Sequence, residues 1–190
     1  MDKLSGQFII LCWAIFLIYW AIGAFTVKRT IERENPWPRF LMFVVIIATF
    51  VLLRRGWLLS TFLGKVLWPK TLIVRTVADI VTLLGLIIAL WARAVLGGNW
   101  SATPTFKEDH ELIEYGPYRY VRHPIYSGVL LMVLGTAIMS GQVGGFVLLA
   151  VFFIGFWFRS RQEERLLTRH FPEAYPKYKS RVKAFVPFVC

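Results

Sequence analysis

Acidic residues are scarce in this 190-residue chain. Eleven Asp and Glu stand against 22 Lys and Arg, a formal net charge of +11. Cysteine is scarcer still. Cys12 lies in an apolar run and Cys190 is the last residue, so neither a disulfide framework nor a metal site is suggested. With no three residues after it, Cys190 does not read as a prenylation box. Internal repeats and low-complexity tracts are absent, as are a dinucleotide-binding glycine pattern and a phosphate loop. Any nucleotide-like cofactor must therefore be held by other means. Charge of either sign makes up only 17% of the chain, hydrophobic residues make up 57%, and the mean hydropathy is +0.58. That excludes an ordinary soluble domain and indicates an integral membrane protein. No soluble stretch is large enough to carry a basic stripe along a duplex. The excess Lys and Arg instead reads as flanks of membrane spans facing anionic headgroups.

What is present is apolar chain cut into lengths. The expected architecture is all-α and polytopic, one domain over 1–190 with about five transmembrane helices. After MDKLSGQ, an apolar run gives a first span over 8–27, too long for a signal-peptide core and so retained. Pro36 and Pro38 stop a helix in the connector that follows. The second span is 40–62, with Arg54 and Arg55 snorkelling, and the third is 71–96. Ile125 to Phe158 carries no charge over 34 residues. As one helix it would run about 51 Å, against a hydrocarbon core of about 30 Å. The turn-forming SGQVGG at Ser140–Gly145 divides it into a hairpin, 125–139 and 143–158. A polar, helical tail, 159–190, completes the chain.

Five spans put the termini on opposite sides. The connector after the first span, the 97–124 loop and the tail then share a face rich in Lys and Arg, and the positive-inside rule makes that face cytoplasmic. Arg75 and Asp79 are spaced as an i,i+4 pair near the outer end of the third span, expected to satisfy each other. Arg93 lies near its cytoplasmic end and is free to line a site.

The densest chemistry is HELIEYGPYRYVRHPIYSG, His110 to Gly128, pressed against the uncharged hairpin. Pro124 suits a first helical turn and pushes His123 towards extended backbone. His123 would then sit at a helix entrance, where free amides favour anions, with Tyr126 one turn in. Taken singly, each residue fits a plain interfacial cap, with Arg122 on headgroups and tyrosines in the aromatic belt. Together they are better suited to binding something polar beside lipid. A second cluster, FRSRQEERLL, places Arg159–Glu163 at i,i+4 and Arg161–Glu164 at i,i+3 where the last span ends.

The series His110-Glu111-Leu112-Ile113, Gly116-x-Tyr118, Arg122-His123-Pro124-x-Tyr126 and Glu163-Glu164, with the ending Phe171 to Phe188, resembles the isoprenylcysteine carboxyl methyltransferase family and the related phospholipid methyltransferases. The resemblance covers about 100–190. It implies S-adenosylmethionine as cofactor and a pocket open to the cytosol, with 97–128 as the cofactor-binding loop. Cofactor contacts are implied for His110, Glu111, Leu112, Ile113, Tyr118, His123, Pro124, Ile125 and Tyr126. Glu164 best matches the cofactor-binding acid, with Glu163 its alternative. Arg159 or Arg161 matches the substrate-binding arginine. Arg159, Arg161 and Glu164 are thus the candidate catalytic residues, and no metal is implied.

The residue types suit that chemistry. A glutamate accepts from an ammonium or from ribose hydroxyls. Tyrosine faces and oxygens suit a sulfonium. A carboxylate acceptor needs alignment and an arginine clamp, whereas an amine or thiol acceptor needs a base, His123 or a glutamate. The resemblance implies a lipidic acceptor, most like a prenylated cysteine carboxylate. Other expectations are a phospholipid amine or small-thiol acceptor and, in a different class, a non-catalytic transporter or assembly protein or an NADPH-dependent membrane reductase.

Overall fold

In the computed structural model the described residues are 2–23, 30–33, 60–97, 105–107 and 112–187. The architecture is helical, as expected. Helix α1 is Asp2–Gly23, α2 is the single turn Ser60–Leu63, and α3 is Leu72–Leu96. Helices α4 (Pro124–Ser140), α5 (Val143–His170) and α6 (Ala174–Arg181) follow. A short antiparallel ribbon pairs β1 (Thr30–Arg33) with β2 (Thr105–Lys107). By length and composition, α1, α3 and α5 can each cross a membrane, and α4 is a shorter apolar helix. The second expected span, 40–62, lies outside the described residues except for its end at α2.

Local chemistry explains the helix ends. Thr71 caps α3, its hydroxyl accepting from the Val74 amide at 3.3 Å. Pro124 opens α4 at the first helical position, and Gly141, at φ 64°, closes it in the left-handed conformation. The expected hairpin is therefore present, with a tighter turn than SGQVGG suggests. Val143 already begins α5, and its amide donates to the Lys65 carbonyl. The tail differs more. Instead of ending at Phe158, α5 continues unbroken to His170. Its 28 residues run about 42 Å, more than a hydrocarbon core of about 30 Å, so its charged last turns stand beyond the apolar part.

Helices α3 and α4 touch backbone to backbone. Ala78, Thr82, Gly85, Ala89 and Ala92 recur at alternating steps of four and three along α3, and all are buried. Opposite them lie Gly128, Met132 and Gly135 of α4. A Cβ on Gly85 would come within 2.5 Å of the Gly128 carbonyl, and one on Gly135 within 2.1 Å of Thr82 Oγ1. Apolar lipid gives two helices no hydrophobic reason to associate, so small residues that permit close dispersion contact form the seam. Helix α1 packs on this pair through Cys12, which joins Leu86 and Met132, and Trp13 donates to Thr136 Oγ1 at 3.1 Å.

At Asp79, the oxygen Oδ1 is buried without a hydrogen-bond partner among the described residues. Arg93 is 3% exposed and ties helix ends together, donating to Gly23 O of α1 and Gly97 O of α3, each at 2.7 Å. A cation on the last carbonyls of two helices complements both dipoles. Arg93 therefore brings the C-termini of α1 and α3 to one face, the face on which α4 begins.

Candidate active site

On that face the polar extension of α5 passes the start of α4. Antiparallel packing puts Phe156, Arg159, Glu163 and Glu164 beside His123 and Tyr126, and two linked networks result. In the first, Tyr126 OH donates to Glu163 Oε1, and Arg159 Nε donates to both Tyr126 OH (2.6 Å) and Glu163 Oε1 (3.2 Å). In the second, Glu164 Oε1 accepts from Arg122 Nε (3.0 Å) and Nη2 (2.7 Å). Glu164 Oε2 pairs with Lys179 Nζ at 2.7 Å.

His123 joins the two networks. Its Nδ1 lies 3.5 Å from Glu163 Oε2 and its Nε2 3.3 Å from Glu164 Oε1. Burial pushes the imidazolium pKa down, but hydrogen bonds and attraction from both glutamates outweigh burial and leave it raised. Both acids thus favour the protonated form of His123.

Aromatic rings wall the apolar side. His123 stacks on Tyr126 with centroids 5.4 Å apart, and Tyr126 stacks on Phe156 at 4.6 Å. Phe185 closes the group from the tail, 5.8 Å from His123.

The tail itself straps the entrance of α4. The amides of Arg122 and His123 donate to Lys183 O (2.8 Å) and Ala184 O (3.0 Å), and Ser127 Oγ donates to Phe185 O (2.6 Å). Arg122 Nη1 also donates to Val182 O. This corrects the expectation of free amides at the His123 entrance, because the chain's own carbonyls take two of them. Tyrosines carry the connection inward. Tyr178 OH donates to Tyr118 O (2.6 Å), and Tyr118 OH to Ala92 O of α3 (3.4 Å).

The structure therefore brings His123, Tyr126, Arg159, Glu163 and Glu164 into direct contact. Pro124 is fully buried at the start of α4, while Ile125, Ile113 and Tyr118 pack on Ala92 nearby. Leu112 is half-buried just before them. His110 and Glu111 lie outside the described residues. Arg161 turns elsewhere: it is exposed, with its guanidinium 4.6 Å over the Trp157 ring. Sequence reasoning did not single out Lys179, one of eight basic residues in the tail with nothing local to mark it. From sequence Arg122 reads as a headgroup contact, and its place beside His123 and opposite an acidic pair is the signal that points instead to Glu164.

Residues 73–174, from α3 to the start of α6, match the phospholipid methyltransferase family. The chain belongs to that family. Its relatives include protein-S-isoprenylcysteine O-methyltransferase B of Arabidopsis thaliana, 36% identical over 84 residues covering 44% of this chain and 43% of that protein. The protein-S-isoprenylcysteine O-methyltransferase of Schizosaccharomyces pombe is 35% identical over 86 residues, 43% of this chain and 35% of the relative. This phospholipid methyltransferase family member thus aligns with less than half the length of either enzyme. Cobalt-zinc-cadmium resistance protein CzcN of Cupriavidus metallidurans is 30% identical over 144 residues, 75% of this chain and 61% of that protein. The fold is shared with a solved structure, the eukaryotic intramembrane Ras methyltransferase ICMT (isoprenylcysteine carboxyl methyltransferase). The TM-score is 0.53 at 22% identity, over 82% of this chain and 55% of that one. Together with the three apolar helices, this makes the protein an integral membrane protein.

Proposed function

We propose that this protein is a methyltransferase that uses S-adenosylmethionine to methylate a lipidic acceptor at the membrane, most like the carboxylate of a prenylated cysteine. The observation that carries the reading is the convergence of Tyr126, His123, Arg159, Glu163 and Glu164 where the apolar part of α5 gives way to its polar end. The activity for which the two isoprenylcysteine relatives are named supports it. A transporter or a nicotinamide-dependent reductase gains no such support.

The donor set fits the cofactor. It offers two carboxylates for an ammonium or ribose hydroxyls, stacked rings for a cationic sulfonium, and one buried hydroxyl, Tyr175, without a hydrogen-bond partner among the described residues. Bound S-adenosylmethionine would supply an electrophilic methyl group. Glu164 and His123 would hold its polar end, Tyr126 would face its sulfonium, and Leu112 and Ile113 would pack on its adenine. Arg159 is the arginine that would grip the acceptor carboxylate, since it lies beside Tyr126 whereas Arg161 faces outward. A carboxylate is ionised already, so the site need only align it and exclude water.

A phospholipid-amine acceptor is the second reading, favoured by the description of the matched family. An amine must lose a proton. His123 or Glu163, which lie against each other, would be the base that reading requires. In either case the site would open to the cytoplasm, a reading supported by the excess of Lys and Arg in the connectors.

The deciding experiment incubates purified protein with labelled S-adenosylmethionine and a panel of prenyl-cysteine, phospholipid, amine and thiol acceptors. Base-labile label on the prenyl-cysteine supports carboxyl methylation. Base-stable label on a phospholipid moves the protein to the second reading. Failure of the well-folded protein to bind S-adenosylmethionine by calorimetry sinks both.

A further inference from the structure

Beyond Phe158 the outward face of α5 changes character at once. At 3.6 residues per turn, positions 154, 157, 158, 161 and 165 fall within about 100° of one another. They are Ile154, Trp157, Phe158, Arg161 and Arg165, and all five are exposed. The other side of the helix carries Phe156, Arg159, Glu163 and Glu164 into the site. Both glutamates are thus turned to His123, Arg159 and Arg122, and among the described residues no acid pairs with Arg161 or Arg165.

Depth decides what these two cations meet. Phe158 is the last residue of the uncharged run. At a rise of 1.5 Å per residue, Arg161 starts about 4.5 Å beyond it and Arg165 about 10.5 Å. The headgroup layer is about 5–7 Å thick on each side of the hydrocarbon. Helical side chains lean towards the N-terminus, which here is back towards the bilayer. Arg161 does so, its guanidinium lying 4.6 Å over the Trp157 ring. That ring is held in turn by Phe153 and Phe185, each with its centroid 6.3 Å away. Two arginines one turn apart, at phosphate depth over an anchored indole, present planar forks that match phosphate oxygens.

We propose that Arg161, Arg165 and Trp157 form a binding site for one anionic phospholipid, its phosphate bridging the two guanidiniums and its chains lying along Ile154 and Phe158. Like charges at i,i+4 repel, and a net negative headgroup relieves that repulsion. A choline headgroup would instead bring a third cation beside the two arginines. The site lies on the face of α5 away from Arg159 and Tyr126, so it is separate from the proposed acceptor position and does not depend on the methyltransferase reading. Its consequence is mechanical: the lipid anchors the outer face of the segment whose inner face carries Glu163 and Glu164.

The test is native mass spectrometry of the full chain released from detergent micelles, titrated with phosphatidylglycerol and with phosphatidylcholine of the same chain length. Wild-type protein is expected to hold phosphatidylglycerol about tenfold or more tighter than phosphatidylcholine. Replacing both arginines, Arg161→Gln with Arg165→Gln, is expected to weaken phosphatidylglycerol about 30-fold, the scale of two arginines at a charged surface. Lys177→Gln with Lys183→Gln removes the same charge from two exposed tail positions and should weaken it by no more than about twofold. Phosphatidylglycerol should also raise the wild-type thermal midpoint by about 4 °C and leave that of the arginine double variant unmoved. Without lipid the two midpoints should agree. Equal retention of the two lipids overturns the proposal, as does unchanged retention in the arginine variant or an equal loss in the lysine variant. So does a lowered lipid-free midpoint, which would make the arginines structural. A dimer that the arginine double variant breaks would put a second copy on this face and overturns it as well.

Discussion

Helix α4 meets its two partners in opposite ways. Against α3 it lays Gly128, Met132 and Gly135 on a stripe of alanine, threonine and glycine, with no room for another methyl group. Against α5 and the tail it lays His123 and Tyr126 in a network of two acids, two arginines and a lysine, walled by rings. The first contact has one arrangement, set by sterics. The second consists of charge pairs with several possible partners, which a ligand can rearrange. The α3–α4 seam is thus the fixed edge of α4.

The largest effect should come from spoiling the fixed edge. Gly135→Val places a side chain where even a Cβ would meet Thr82 Oγ1 at 2.1 Å and the Ala78 carbonyl at 2.7 Å. Neither obstacle is the end of a flexible chain. We expect a loss of about 3 kcal/mol or more, read as a collapse of the thermal midpoint in detergent, with cofactor binding lost as well. Normal stability in this variant would mean that the two helices separate readily, and the contrast with α5 would disappear.

Next comes the exchangeable side. Arg159→Ala removes the guanidinium shared by Tyr126 and Glu163, and we expect kcat/KM for the acceptor to fall about 100-fold, mainly through KM. Arg161→Ala should stay within about twofold, because that side chain lies on Trp157 and faces outward. Equal losses in the two variants would mean that Arg159 has no special place at the site.

This arginine pair shows how far the sequence could be read. Its spacing announced two arginines and two acids at the end of an apolar run, but i,i+4 and i,i+3 partners are both plausible on paper. Only the rotation of α5 against α4 decides that Arg159 turns inward. The hairpin was legible because 34 uncharged residues cannot cross a bilayer once, and His123 and Tyr126 because Pro124 fixes a helix start. The strap of 182–185 was not legible, since carbonyls carry no side-chain signature. Nor was the continuation of α5 to His170, because charged residues end an apolar run without ending a helix.

A smaller effect is expected from pH. His123 has a raised pKa in the folded protein, so its pairing with Glu163 and Glu164 stabilises fully below the ordinary histidine value of about 6.5. That contribution is lost as pH rises through the raised folded value. Thermal midpoints should therefore decline on the alkaline side, and His123→Gln should flatten that decline. A parallel decline in the variant would assign the pH dependence to other groups, with the tail lysines the first to test.

The smallest effect marks the outer limit of the network. Arg181 pairs with Glu114 at 2.9 Å, joining α6 to the segment before the Gly116 turn, and resembles the Arg122–Glu164 pair in distance alone. Its guanidinium side chain is 66% exposed, against 10% for Arg122. Water and salt screen the outer pair, and holding two mobile side chains costs most of what they gain. Arg181→Ala should change stability by no more than about 0.5 kcal/mol, whereas Arg122→Ala strands Glu164 among buried groups and should cost about 3 kcal/mol. Chemical unfolding of both variants at low and high salt separates the cases. If the outer pair matched the inner one and resisted salt, burial would not be what sets the strength of charge pairs on this face.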